Sequence, residues 1–105
     1  GLKRLRLLYL ASNQIREISS IASLQELTDL DLSDNIIENI RPLGNIINLN
    51  ELRLSSNRIR NINALLKLKL IGIVELDQNP IHPNDNAVVR HVITHLAKQG
   101  CLIKF

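Results

Sequence analysis

The chain has 105 residues and a formal charge of +3, and 45% of it is hydrophobic. Nearly all of that is Leu and Ile, with one Phe, one Tyr and no Trp or Met, too few aromatics for a surface that stacks on nucleic-acid bases. No apolar run approaches the roughly 18 residues of a membrane span, and the single Cys101 rules out an internal disulfide and favours a reducing compartment such as the cytoplasm.

The opening GLKRLRLLYL interleaves basic residues with leucines. It has no clean apolar h-region or small-residue cleavage site, so it is not read as a signal peptide. Its apolar residues, Leu2, Leu5, Leu7 and Leu8, predict a first strand region. After Leu10 come Asn13 and Ile15, then a segment stepping in threes through Ile18, Ile21 and Leu24. Steps of three suit a 3₁₀ turn better than an α-helix.

The same order of residues then recurs. Leu27, Leu30 and Leu32 lead to Asn35 and Ile37, followed by Ile40, Leu43 and Ile46. Leu49, Leu52 and Leu54 lead to Asn57 and Ile59, followed by Ile62, Leu65 and Leu68. Ile71, Val74 and Leu76 lead to Asn79 and Ile81. Each asparagine stands 22 residues after the last. Self-similarity at a fixed period of this length marks a solenoid or array.

The pattern LxxLxLxxNxI resembles the leucine-rich repeat family, in the 22-residue subclass seen in bacterial internalins and in a eukaryotic regulator of protein phosphatase 1. Arg41–Leu52, RPLGNIINLNEL, is similar to internalin repeats in its Pro-Leu followed by apolar steps of three. The resemblance covers residues 5–81. It implies an α/β fold: a right-handed solenoid with a parallel concave β-sheet, a 3₁₀ or loop convex side and a C-terminal helix–strand cap.

Elementary packing leads to the same architecture. One unit cannot bury its own leucines, whereas stacked units pack leucine on leucine along the coil axis. Each buried side chain contributes about 1.5–3 kcal/mol relative to exposure. Where the chain turns inward after a strand, backbone groups leave water. The amides of Asn13, Asn35, Asn57 and Asn79 supply the donors and acceptors to satisfy them, so they are expected to form a buried structural ladder.

Residues 1–81 therefore read as four repeats, the first incomplete, and residues 82–105 as a cap. Turns are expected at Asn79-Pro80 and Pro83-Asn84. A helix over about 85–98 should start at Asn84 or Asp85 as N-cap, bury Val88, Val89, Val92, Ile93, Leu96 and Ala97 on one face, and stop at Gly100. In the final CLIKF, Cys101, Ile103 and Phe105 are expected inward and Lys104 outward, in a last strand over about 101–105. The N-terminal end shows no comparable cap, which points to a fragment of a longer protein or to self-association through that end.

The variable residues of each strand face the concave side. Two arginines there, Arg6 and Arg53, meet six carboxylates, Asp29, Asp31, Asp34, Glu51, Glu75 and Asp77, a net of −4 within a chain of +3. An acidic contact face does not suit nucleic acid, which needs a basic stripe. It suits a protein or peptide with a basic patch. The central column reads Tyr9, Asp31, Arg53, Glu75; it places Arg53 between two carboxylates and offers Tyr9 as the contact hot spot.

No enzyme is read from this sequence. Paired carboxylates such as Asp29 and Asp31 have no cleft to raise a pKa. There is no glycine-rich phosphate loop, and no cofactor is implied. His91 and His95 stand four apart on the predicted helix, with His82 as the one further candidate, and two loosely placed ligands do not make a tetrahedral metal site. Cys101 reads as a small core residue. The expected role is a binding module. The family also admits a regulatory or targeting domain of a larger enzyme, such as a kinase, GTPase or phosphatase complex, and an internalin-like adhesion domain on a bacterial surface.

Overall fold

The computed structural model describes residues 2–82 and 84–105. Five three-residue strands, β1 (Leu7–Tyr9), β2 (Asp29–Asp31), β3 (Glu51–Arg53), β4 (Ile73–Glu75) and β5 (Leu102–Lys104), form one parallel sheet in sequence order. The register repeats the 22-residue period: Leu8 pairs with Leu30, Leu30 with Leu52, Leu52 with Val74 and Val74 with Ile103. Parallel neighbours need a crossover, and each return segment supplies one.

Those segments carry 3₁₀ turns at Ser19–Ser23, Arg41–Asn45 and Asn63–Lys67. Their i→i+3 bonds fall on the steps of three: Ile21 N donates to Ile18 O and Leu24 N to Ile21 O, as do Leu43 to Ile40 and Ile46 to Leu43 one coil later. Leu2–Arg4 is also a 3₁₀ turn rather than strand. Leu2 lies 22 residues before Leu24, so it ends a return segment. The turns stack closely. A Cβ built on Gly44 would lie 3.1 Å from Lys67 Cδ and 3.2 Å from Ala64 O, so Gly44 lets two coils approach.

The apolar offsets converge on one core. Leu27, Leu30, Leu32, Leu49, Leu52 and Leu54 are fully buried, together with Ile37, Ile59, Leu43 and Leu65. Leu5, Leu8, Leu10 and Ile15 in the first coil are only partly buried against this core. Each coil covers the next, and no described coil covers the first.

At the other end, α1 (Ala87–Lys98) buries Val89, Val92 and Leu96, with Ile93 half-buried, while Val88 and Ala97 are exposed. The helix begins later than expected. Its N-cap is Asn86, whose Oδ1 accepts from Val89 N at 2.9 Å. Asp85 instead accepts from His82 N at 2.8 Å, so its carboxylate is committed to the preceding turn. Pro83, of the expected Pro83-Asn84 turn, lies outside the described residues. At the C-terminus Gly100 has φ 87°; Gly100 N donates to Ala97 O and Cys101 N to Leu96 O, the paired bonds of a Schellman cap. Cys101 is buried, and burial pushes its thiol pKa up, with a backbone hydrogen bond at Val74 acting against it. Phe105 is exposed rather than inward. It lies beyond Lys104, the last paired residue, so the pleat no longer directs its side chain.

The residue before each asparagine, Ser12, Asp34, Ser56 and Gln78, has φ between 57° and 60°. Left-handed backbone is strained for residues with a Cβ. Replacing Gln78 with glycine relieves that strain but frees the unfolded chain. A net gain of about 0.5–1 kcal/mol in unfolding free energy is expected in urea titration; a loss would mean that the Gln78 side chain itself stabilises the turn.

Candidate functional site

The asparagines stand immediately after these left-handed residues, which turns their side chains under the strand. Asn57 Nδ2 donates to Leu32 O, Leu54 O and Ser55 O at 3.0–3.3 Å, and its Oδ1 accepts from Ile37 N at 3.0 Å. Asn35 repeats this with Leu10 O, Leu32 O, Ser33 O and Ile15 N. Asn79 does so with Leu54 O, Leu76 O, Asp77 O and Ile59 N. Asn35 and Asn57 are buried and Asn79 is half-buried. Asn13 differs from the expectation of burial: it is exposed and bonds only Leu10 O and Ala11 O of its own coil. No earlier coil among the described residues offers it a backbone to cross-link.

With the amides and leucines below, the alternate strand residues point to the open face in two columns. One runs Leu7, Asp29, Glu51, Ile73, Leu102, and the other Tyr9, Asp31, Arg53, Glu75, Lys104. The sequence pattern left Leu102 and Lys104 out of this face because β5 has no asparagine to align on. The alternation in CLIKF was the available signal. Lys104 lies in register with Glu75 and reduces the acidity at that end.

The register sets Arg53 between Asp31 and Glu75, as expected, but among the described residues Arg53 makes no ion pair with Asp31. Arg53 bonds Glu51 at 3.3 Å, two residues back on its own strand, and lies 3.7 Å from Glu75. Asp31 Oδ1 instead accepts from Ser33 N at 3.0 Å and from the Ser33 hydroxyl at 2.6 Å. Asp77 accepts the Ser55 hydroxyl. Among the described residues Asp29, Asp31 and Asp34 have no ion pair. Asp34 is exposed at the turn beyond the strand, on the rim of the sheet face. Asp77, after β4, likewise has no ion pair among the described residues, so three of the four carboxylates on this face without one sit on β2 and its turn, beside the exposed Leu7 and Tyr9 of β1, which are 52% and 59% accessible.

The remaining surface offers less chemistry. On the convex side a groove of about 430 Å³ is lined by residues that include Glu38, Arg41, Asn61, Asn63 and Lys67. Its charges are mixed, and the Asn61 carboxamide oxygen is occupied by Asn63 N. His91 is exposed and His95 half-buried, their ring centres 6.3 Å apart. No group of three His, Cys, Asp or Glu among the described residues is placed to share a metal. No helix among them is long and apolar enough to cross a membrane.

Comparison with known proteins agrees with this geometry. Residues 3–45 match a family model described as leucine rich repeats in two copies. No curated protein matches the chain by sequence. Among solved structures, an internalin (InlF) from Listeria monocytogenes superposes on 99% of this chain with TM-score 0.83 and 26% identity. An internalin C2 from the same organism superposes on 99% with TM-score 0.83 and 31% identity. A leucine-rich-repeat protein of Leptospira interrogans superposes on 96% with TM-score 0.79 and 29% identity. The chain spans 28%, 43% and 25% of those chains respectively.

Proposed function

We propose that this chain, a leucine-rich-repeat solenoid similar to the internalins, is a non-catalytic module that binds a protein or peptide bearing a basic patch through its concave sheet. Leucine-rich repeats are typically protein-interaction modules; the partner's charge and the face used are inferred from this chain's own residues. The observation that carries the reading is the set of unpaired carboxylates Asp29, Asp31 and Asp34 on an uncovered sheet face. Carboxylates with no cation beside them keep their negative charge uncompensated and so attract an incoming cation. The Arg53 knot contributes little, since exposed pairs are worth under about 1 kcal/mol.

A titration with hexa-arginine peptide, followed by backbone amide NMR, tests this. Shifts are expected on residues 28–34 and to weaken as salt is raised. The double variant Asp29→Lys, Asp31→Lys should bind roughly tenfold more weakly with its melting temperature nearly unchanged. Shifts centred on another surface, or unchanged affinity in the variant, would move the site elsewhere. The likeness to two Listeria internalins favours, as a second reading, an adhesion role on a bacterial surface. A secretion signal or wall anchor in the full-length gene product would support it.

A further inference from the structure

We infer that the concave sheet selects an extended segment carrying a cationic side chain and a large apolar side chain four residues apart. This rests on the concave face being the binding face, and specifies what that face recognises. The face is divided across the strands rather than uniformly acidic. On β1 the outward residues are apolar and aromatic, Leu7 and Tyr9; on β2 they are Asp29 and Asp31; on β3 Arg53 is held by Glu51 and Glu75. At the far end Ile73 and Leu102 lie in register, and Leu102 is 69% accessible.

Each part admits one kind of group. A lysine or arginine has an apolar stem and a charged head, and such side chains lay the stem on apolar surface while the head stays polar. The side chain descends over β2 with its head at Asp29 and Asp31, its stem is flanked by Leu7 and Tyr9 of the adjoining strand, and the Tyr9 ring adds a cation–π contact. A second cation is disfavoured at β5, where Lys104 already stands, and β3 is closed by its own pairs. The Ile73–Leu102 step offers no charge of its own and favours an apolar side chain.

Spacing follows from geometry. Strands lie about 4.8 Å apart, so β2 and the midpoint between β4 and β5 are about 12 Å apart. An extended peptide crossing the strands rises about 3.3 Å per residue and covers that in three to four residues. Alternate side chains of an extended segment point to opposite sides. Residues four apart therefore both face the sheet, whereas residues three apart do not.

Terminally blocked Arg-Ser-Ser-Ser-Leu and its reverse, Leu-Ser-Ser-Ser-Arg, provide the probe, with Arg-Ser-Ser-Leu and hexa-arginine as controls, all titrated into the full chain by NMR. At least one four-apart peptide is expected to bind about fivefold tighter than the three-apart peptide and to shift amides on both β2 and β5. That advantage should vanish in Leu102→Ser, a substitution at an exposed position that leaves the core intact. Equal binding at both spacings, or an advantage that survives Leu102→Ser, would overturn the composite pattern. If hexa-arginine then still shifts β2 amides, the acidic face stands as a binding surface. If no peptide shifts β2, both readings fall.

Discussion

Asn57→Ala is expected to lower the unfolding free energy by about 2–3 kcal/mol, while Asn13→Ala lowers it by less than about 1 kcal/mol. The two residues hold the same offset in the repeat, so composition and propensity are matched. Their surroundings differ. Ile37 N–H has Asn57 Oδ1 as its hydrogen-bond partner, in a buried position. Alanine leaves that donor orphaned where water does not reach, and a buried unpaired group costs about 1–3 kcal/mol. The carbonyls suffer less, because Leu32 O and Leu54 O each accept from two successive asparagines and keep one of them. Asn13 is exposed and water replaces what it loses. Urea denaturation of the two variants checks this. Equal losses, or a neutral Asn57→Ala, would contradict the cross-linking role.

The second large effect is expected at Leu52. It is fully buried at the centre of the sheet, in register with Leu30 on one side and Val74 on the other. Leu52→Ala removes buried methyl groups and opens a cavity shared by three coils, at a cost of about 3–5 kcal/mol. In a solenoid, stability is close to a sum over neighbouring interfaces, and this substitution damages two of them. Small domains hold about 5–15 kcal/mol in total, so a large part of the stability would go. Leu8→Ala, at the equivalent offset in the first coil but only partly buried, should cost about half as much. A thermal melt of both variants decides the matter. Matching midpoints would contradict the difference in packing between the first and third coils.

The sequence makes the architecture legible because every structural requirement is stated several times. Leucine at three offsets, asparagine once per period and isoleucine two residues later each answer one constraint, and repetition separates the constraint from accident. What was not legible depends on choices made once. Asn84, Asp85 and Asn86 are all competent caps, and only the placement of Val89 N–H selects Asn86. Arg53 has carboxylates within reach on its own strand and on both neighbours. It pairs with Glu51 and Glu75, a choice that the repeat pattern does not state. Leu102 and Lys104 join the concave face through a strand that departs from the repeat pattern, so alignment on the asparagines passed them by. The left-handed position before each asparagine is filled by Ser, Asp, Ser and Gln, and no glycine announces it.

The asparagine cross-links have a direction. Asn35 reaches back to Leu10 O and Ile15 N, Asn57 to Leu32 O and Ile37 N, and Asn79 to Leu54 O and Ile59 N. Each of these three coils is thus fastened to the one made before it on the ribosome. By the time each amide emerges, the backbone it must grip already exists, so assembly can keep pace with translation instead of waiting for the chain to be released.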